Sequence, residues 1–124
     1  MNKKYFIETF GCQMNVYDSE FIGDLLSMRG YSQAARPEEA SLVLINTCSV
    51  RARAERKAIT RAQEIAALRR SGTPLHLGII GCMAQRLGSD LEAAGCRVDF
   101  ILGPDTYLDL PKLLDGLESS GKRR

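Results

Sequence analysis

Histidine occurs once in the 124 residues, at His76, and no run of 18 apolar residues exists. The missing run excludes a helix of membrane-spanning length and composition. The N-terminus, Met1-Asn2-Lys3-Lys4, is basic, but Glu8 interrupts the next stretch and no small-residue cleavage site is present. It does not read as a signal peptide, so the expected location is cytoplasmic. Thiols stay reduced there, and four cysteines in such a protein point to metal or catalysis more than to disulfides. Aromatic residues are only 6% and form no stripe suited to base stacking. There is no internal repeat and no low-complexity segment. The net charge of +2 is too small to argue for a partner.

What is present fits one domain of ordinary size. Apolar residues make up 44% and charged residues 26%, a globular balance. A chain of this length buries about two thirds of its unfolded surface and needs no disulfide staple.

Strand and helix patterns alternate. Tyr5–Phe10 reads as a strand ending at Gly11-Cys12. Asn15 is placed to cap a helix, with Asp18 three residues on as a partial capping box. Tyr17, Phe21, Ile22, Leu25 and Leu26 follow at helical spacing, and Gly30 supplies the stop. A short extended piece near Tyr31 leads to a turn at Pro37-Glu38-Glu39. Leu42–Asn46 is a continuous apolar run, as expected of a strand covered on both faces, and ends at Thr47-Cys48. A helix over about 50–70 carries Val50, Ala54, Ala58, Ala62, Ile65 and Ala66 on one side. Gly72-Thr73-Pro74 breaks it. Leu75–Ile80 is a buried strand ending at Gly81-Cys82. A helix through Leu87, Leu91 and Ala94 stops at Gly95, and Val98–Leu102 is the last strand. Asp109 is expected to cap a final helix with Pro111 in its first turn. Residues 1–118 form the expected domain and 119–124 a linker or tail. The pattern predicts an α/β fold, an open, mostly parallel, doubly wound five-stranded sheet of the flavodoxin-like kind.

Cys12, Cys48 and Cys82 each follow a predicted strand and precede a predicted helix. In a parallel sheet those positions share one edge, the edge where open α/β sheets place ligands. A helix N-terminus lowers a thiol pKa, and the thiolate is the ligand form. Gly11 and Gly81 allow a sharp turn and a close approach of backbone to a bulky group. Three soft sulfur ligands suit an iron–sulfur cluster, or zinc with a fourth ligand. His76 opens its strand, roughly 20 Å from Cys82, and Cys96 precedes the last strand, so both belong at the opposite edge. Cys96 reads as a small buried hydrophobe. A 4Fe–4S cluster with one open iron fits the remaining three cysteines best.

Three other functions share parts of this pattern. A flavin-binding electron-transfer module wants a Ser/Thr/Gly-rich phosphate loop after the first strand, and Phe10–Asn15 is a poor one. A signalling receiver needs carboxylates where Cys12 and Cys48 stand. A zinc-binding interaction module needs a fourth ligand from a partner chain.

Thr9-Phe10-Gly11-Cys12-Gln13-Met14-Asn15, then Asn46-Thr47-Cys48, then Gly81-Cys82, resemble the N-terminal domain of the radical-type methylthiotransferase family. The resemblance covers nearly the whole chain. Gly-Cys-Gln-Met-Asn resembles the bacterial branch that methylthiolates N6-isopentenyladenosine in tRNA beside the anticodon. The branches acting on a ribosomal protein or on threonylcarbamoyl-adenosine differ at Gln13-Met14. The resemblance implies an auxiliary 4Fe–4S cluster on Cys12, Cys48 and Cys82 that supplies or carries sulfur. It also implies a radical domain with a second 4Fe–4S cluster and S-adenosylmethionine, and an RNA-binding domain. No Cys-x-x-x-Cys-x-x-Cys occurs in these 124 residues. The chain is therefore expected to be part of such an enzyme and inactive alone, with the radical domain and the tRNA anticodon arm as partners.

Further residues take candidate roles within that frame. Gln13 and Met14 occupy the loop over the cluster, and Asn15 and Asn46 stand within reach of its edge, where hydrogen bonds to sulfur tune a cluster. The segment 51–70 holds Arg51, Arg53, Arg56, Lys57, Arg61, Arg69 and Arg70 against Glu55 and Glu64. Arg51 and Arg53 oppose the helix dipole in the first turn, which marks them for contact with RNA phosphate or with the adjoining domain. Arg69 and Arg70 read as a solvated face.

Overall fold

The computed structural model describes residues 3–10, 13–47, 52–72, 75–81 and 84–120. Five strands, β1 (Lys4–Phe10), β2 (Ser32–Gln33), β3 (Leu42–Thr47), β4 (His76–Ile80) and β5 (Phe100–Leu102), alternate with four helices. These are α1 (Gln13–Met28), α2 (Ala52–Arg70), α3 (Ala84–Ala93) and α4 (Leu110–Ser120). The strand order is β2-β1-β3-β4-β5, and every pairing is parallel. This is the doubly wound, flavodoxin-like order the sequence predicts.

Two cores cover the sheet. Along β3 successive side chains alternate between them, and all six residues are buried. Val43 and Ile45 join Leu77 and Ile79 under Ala58, Ala62, Ile65 and Ala66 of α2 and Leu87 and Leu91 of α3. Leu42 and Leu44 join Ile80, Phe100 and Leu102 under Ile22 and Leu26 of α1 and Leu110 and Leu114 of α4. The alanine face of α2 lets that helix lie close on the sheet. Val50 lies outside the described residues, and so does the side chain of Ala54.

Several boundaries differ from the sequence reading. Helix α1 begins at Gln13, so Asn15 sits inside its first turn and is not its cap. Asn15, Ser19, Ile22 and Leu26 share the sheet-facing side of α1 at i, i+4, i+7 and i+11. Tyr17 and Phe21 are thereby turned outward, 56% and 43% exposed, with Phe21 leaning on Tyr107 at a ring separation of 6.5 Å. Gly30, at φ +89°, closes α1 as expected. The break after α2 shows Gly72, while Thr73 and Pro74 lie outside the described residues.

Strand β5 starts at Phe100, two residues later than its apolar run. Asp99 meets Leu77 first through both its groups: its N–H donates to the Leu77 carbonyl (2.7 Å), and its carboxylate accepts from the Leu77 N–H (2.8 Å). The last helix starts at Leu110, where an Asp109 cap would place it, but Asp109 is itself the final residue of a 3-10 turn. A 3-10 turn, Pro104–Asp109, runs directly into α4, and the Gly103 N–H donates to Thr106 Oγ1 (3.1 Å) at its start. Pro111 keeps its place in the first turn of α4, which continues through Ser119 and Ser120 of the expected tail. Among the described residues no helix is long and apolar enough to cross a membrane.

Candidate metal centre

The C-terminal tips of β1, β3 and β4 are neighbours. Phe10 pairs with Thr47, and Asn46 pairs with Ile80. Adjacent strands lie about 4.8 Å apart, so three tips span about 10 Å. These tips lead into Gly11-Cys12, Cys48 and Gly81-Cys82. Gly11, Cys12, Cys48, Arg51 and Cys82 themselves lie outside the described residues, as do the side chains of Gln13, Met14 and Arg53. Gln13 and Met14 open α1, and Arg53 stands in the first turn of α2.

Gly81 closes the edge on one side. Its φ is +119°, and a Cβ there would stand 2.2 Å from the Thr47 carbonyl oxygen and 2.9 Å from Asn46 Oδ1. Only glycine can hold both that conformation and that approach. The Ala84 N–H donates to the Gly81 carbonyl (3.1 Å), so α3 begins immediately beyond the tip.

A buried polar cluster fixes the start of α1 to the tip of β3. Asn15 Nδ2 donates to Asn46 Oδ1 (3.1 Å). Asn46 Nδ2 donates to the Asn15 carbonyl (2.8 Å) and to Ser19 Oγ (2.9 Å). Ser19 Oγ lies 2.8 Å from Thr9 Oγ1 on β1. Asn15 is 3% exposed and Asn46 fully buried. Both side-chain N–H groups of Asn46 are thus engaged within the protein. Sequence reasoning placed Asn15 and Asn46 at this edge but did not pair them with each other. Ser19 went unnoticed, although it follows Asn15 by one helical turn, and Thr9 was read only as part of the motif around Cys12.

Thr47 stands in the Asn46-Thr47-Cys48 motif, but sequence reasoning gave it no role of its own. It is fully buried, and among the described residues its Oγ1 has no hydrogen-bond partner. By strand alternation its side chain belongs with Val43 and Ile45, on the α2–α3 face and opposite to Asn46. A buried hydroxyl without a partner costs about 1–3 kcal/mol. Its signal in the sequence is a hydroxyl that follows Asn46 at the end of the apolar run, one residue before Cys48.

Charge on α2 is partly consumed inside the fold. Arg61 bridges Glu8 (3.0 Å) and Glu64 (2.9 Å), and its hydrogen bond to Glu64 holds its pKa above the usual value against the opposing effect of burial. Arg69 is not the solvated residue the sequence reading made it. Its side chain is 14% exposed and pairs with Asp99 at 2.9 Å, and burial lowers its pKa. Arg56 and Lys57 are exposed and, with Glu8, Phe10 and Arg61, line an open cavity beside β1.

The opposite edge holds the residues that do not meet the strand tips. His76 opens β4, with Nδ1 3.7 Å from Asp99 Oδ2. Cys96 is 4% exposed, and its thiol faces the Ala62 carbonyl at 3.7 Å. Burial pushes that thiol pKa up, away from the thiolate a metal needs. Among the described residues no group of three or more His, Cys, Asp or Glu side chains could hold a metal ion.

Residues 4–103 match the model of the uncharacterized protein family UPF0004. Among curated relatives, the tRNA-2-methylthio-N(6)-dimethylallyladenosine synthase of Bacteroides thetaiotaomicron is 47% identical over 121 residues, covering 98% of this chain and 26% of that protein. The enzyme of the same name from Dictyoglomus thermophilum is 44% identical over 119 residues, covering 96% of this chain and 27% of its own. That from Jannaschia sp. is 39% identical over 122 residues, with 98% and 26% covered. The chain thus spans about a quarter of the length of these relatives. With the family model matched over most of its length, the chain belongs to the family UPF0004.

Proposed function

We propose that this chain is the auxiliary-cluster domain of a cytoplasmic tRNA methylthiotransferase, with Cys12, Cys48 and Cys82 as ligands of a 4Fe–4S cluster. The observation that carries the reading is the adjacency of the β1, β3 and β4 tips, each leading into one of these cysteines. Three thiolates leave one iron of such a cluster open, and a bound cluster supplies a reactive site for holding or donating sulfur.

The residues around the edge fit a group of this kind. Gly81 lets two backbones approach where any side chain would collide. The Asn15–Asn46 pair holds the start of α1 against the tip of β3. The buried hydroxyl of Thr47 offers a donor at the edge. Gln13 and Met14, at the start of α1, are assigned to the surface that meets the substrate.

The substrate assigned is N6-isopentenyladenosine beside the tRNA anticodon, which rests on the names of the relatives and on Gln13-Met14. Arg51 and Arg53, with exposed Arg56 and Lys57, are assigned to phosphates of the anticodon arm or to the adjoining domain. The 124 residues contain no Cys-x-x-x-Cys-x-x-Cys. We therefore assign S-adenosylmethionine and a second cluster to a separate radical domain, and no turnover to this chain alone.

The test is anaerobic reconstitution with iron and sulfide, followed by iron and acid-labile sulfide counts and Mössbauer spectroscopy. About four irons are expected, as for a cubane. Changing Cys12, Cys48 or Cys82 to Ala should sharply lower iron binding, whereas Cys96→Ala should not. Equal loss from Cys96→Ala, or zinc bound in place of iron, would overturn the assignment.

A further inference from the structure

The buried hydroxyl of Thr47 has no partner among the described residues, although the residue is fully enclosed. Buried polar atoms without partners are rare and point to a group that binds there. Its neighbours narrow the choice. The Thr47 carbonyl and amide both crowd Gly81, so the backbone of β3 is pinned at this tip. Its pairing with Phe10 places it between β1 and β4, one residue before Cys48. Asn46, the other polar residue of this strand tip, has already given both N–H groups to Asn15 and Ser19.

We propose that the Thr47 hydroxyl donates its hydrogen bond to a sulfur of the proposed cluster or of its cysteine ligands, and so sets the cluster's reduction potential. The proposal rests on the reading of Cys12, Cys48 and Cys82 as ligands. Thr47 is a positioning and tuning residue rather than a ligand. A hydrogen bond to sulfur stabilises the reduced cluster, which carries one more negative charge, over the oxidised one. A hydrogen bond to a charged group is stronger than one between neutral groups, and part of that difference falls between the two redox states.

The measurement is a redox titration of the anaerobically reconstituted protein, followed by electron paramagnetic resonance, for wild type, Thr47→Val and Thr47→Ser. Valine keeps the shape and removes the donor. Before reconstitution, Thr47→Val should unfold no more easily than wild type, because it discards an unsatisfied hydroxyl. After reconstitution it should carry the wild-type iron and sulfide content. At a fixed potential, however, its ratio of reduced to oxidised cluster should fall about tenfold, equivalent to 59 mV for a one-electron couple. Thr47→Ser, which restores the donor, should return the wild-type ratio.

Equal potentials in Thr47→Val and wild type, with iron content preserved, would overturn the role of Thr47 and leave the ligand assignment standing. Loss of iron in Thr47→Val but not in Thr47→Ser would also overturn it, since the hydroxyl would then act in assembly and not in tuning. A wild-type protein that takes up no cluster would overturn both readings together.

Discussion

Asn15 and Asn46 grip each other across the junction of α1 and β3: Asn15 Nδ2 donates to Asn46 Oδ1 at 3.1 Å, and Asn46 Nδ2 returns the bond to the Asn15 carbonyl at 2.8 Å. Both residues are buried. Asn46→Ala removes three hydrogen bonds from a buried polar cluster. The expected cost is about 2–3 kcal/mol, read as a lower urea midpoint with an unchanged slope. Ser19→Ala removes only one accessory bond and should cost about 1 kcal/mol.

Gly81→Ala should be the more damaging change at this edge. The methyl group would meet the Thr47 carbonyl at 2.2 Å, and the φ of +119° disfavours any L side chain. Backbone does not yield as a flexible side chain does, so the tips of β3 and β4 must part. About 3 kcal/mol or more of stability should be lost, and iron uptake should fall in the fraction that still folds. Gly116→Ala, a control in α4 with nothing within 4 Å of the new methyl, should be neutral or slightly stabilising by thermal melt.

The contrast between these sites explains how much was legible in advance. The parallel sheet was readable because Leu42–Ile45 and Leu77–Ile80 are apolar runs, each followed by a helical pattern. The shared edge came from topology alone, and the Phe10–Thr47 and Asn46–Ile80 registers place the tips there. Asn15 was misplaced because a cap and a buried amide partner look alike in sequence. Only the register of α1 on β3 brings residue 46 to it. Tyr17 and Phe21 looked like core because helical spacing marks a face without saying which residues the sheet accepts. Arg69 looked solvated because its partner Asp99 lies 30 residues away, on another element. The role of Thr47 was not legible from its motif alone, because only its surroundings show that no described residue satisfies its hydroxyl.

The basic start of α2 leads to a prediction about RNA. Arg61 and Arg69 are held by carboxylates of the fold, so they are poor candidates for phosphate. If Arg51 and Arg53 each neutralise one phosphate, replacing both with Ala should reduce the slope of log K against log salt by about 2. Filter binding of the tRNA anticodon arm to the full-length protein at several salt concentrations measures this. An unchanged slope would assign the two arginines to the adjoining domain instead.

Acid should expose the ion-pair cluster at the far edge of the sheet. The Asp99 side chain is 3% exposed and faces Arg69 and Arg97 at 2.9 and 2.7 Å. Burial pushes its carboxyl pKa up, but His76, the Leu77 N–H, Arg97 and Arg69 outweigh it and bring it to about 2 from 3.8. A carboxyl depressed on folding stabilises the native state above its unfolded pKa, and that contribution disappears as pH falls toward the folded value. Asp99 should therefore add about 2 kcal/mol near neutrality, declining below about pH 5 and spent near pH 2. Asp99→Asn should cost a similar amount at pH 7, because it leaves the largely buried Arg69 without its charge partner. Urea unfolding from pH 7 to pH 3 should show wild type and Asp99→Asn converging as the medium is acidified. Parallel curves would mean that other carboxylates carry the acid sensitivity. Because Asp99 precedes β5, at the edge away from the strand tips, its replacement should leave iron uptake per folded molecule unchanged.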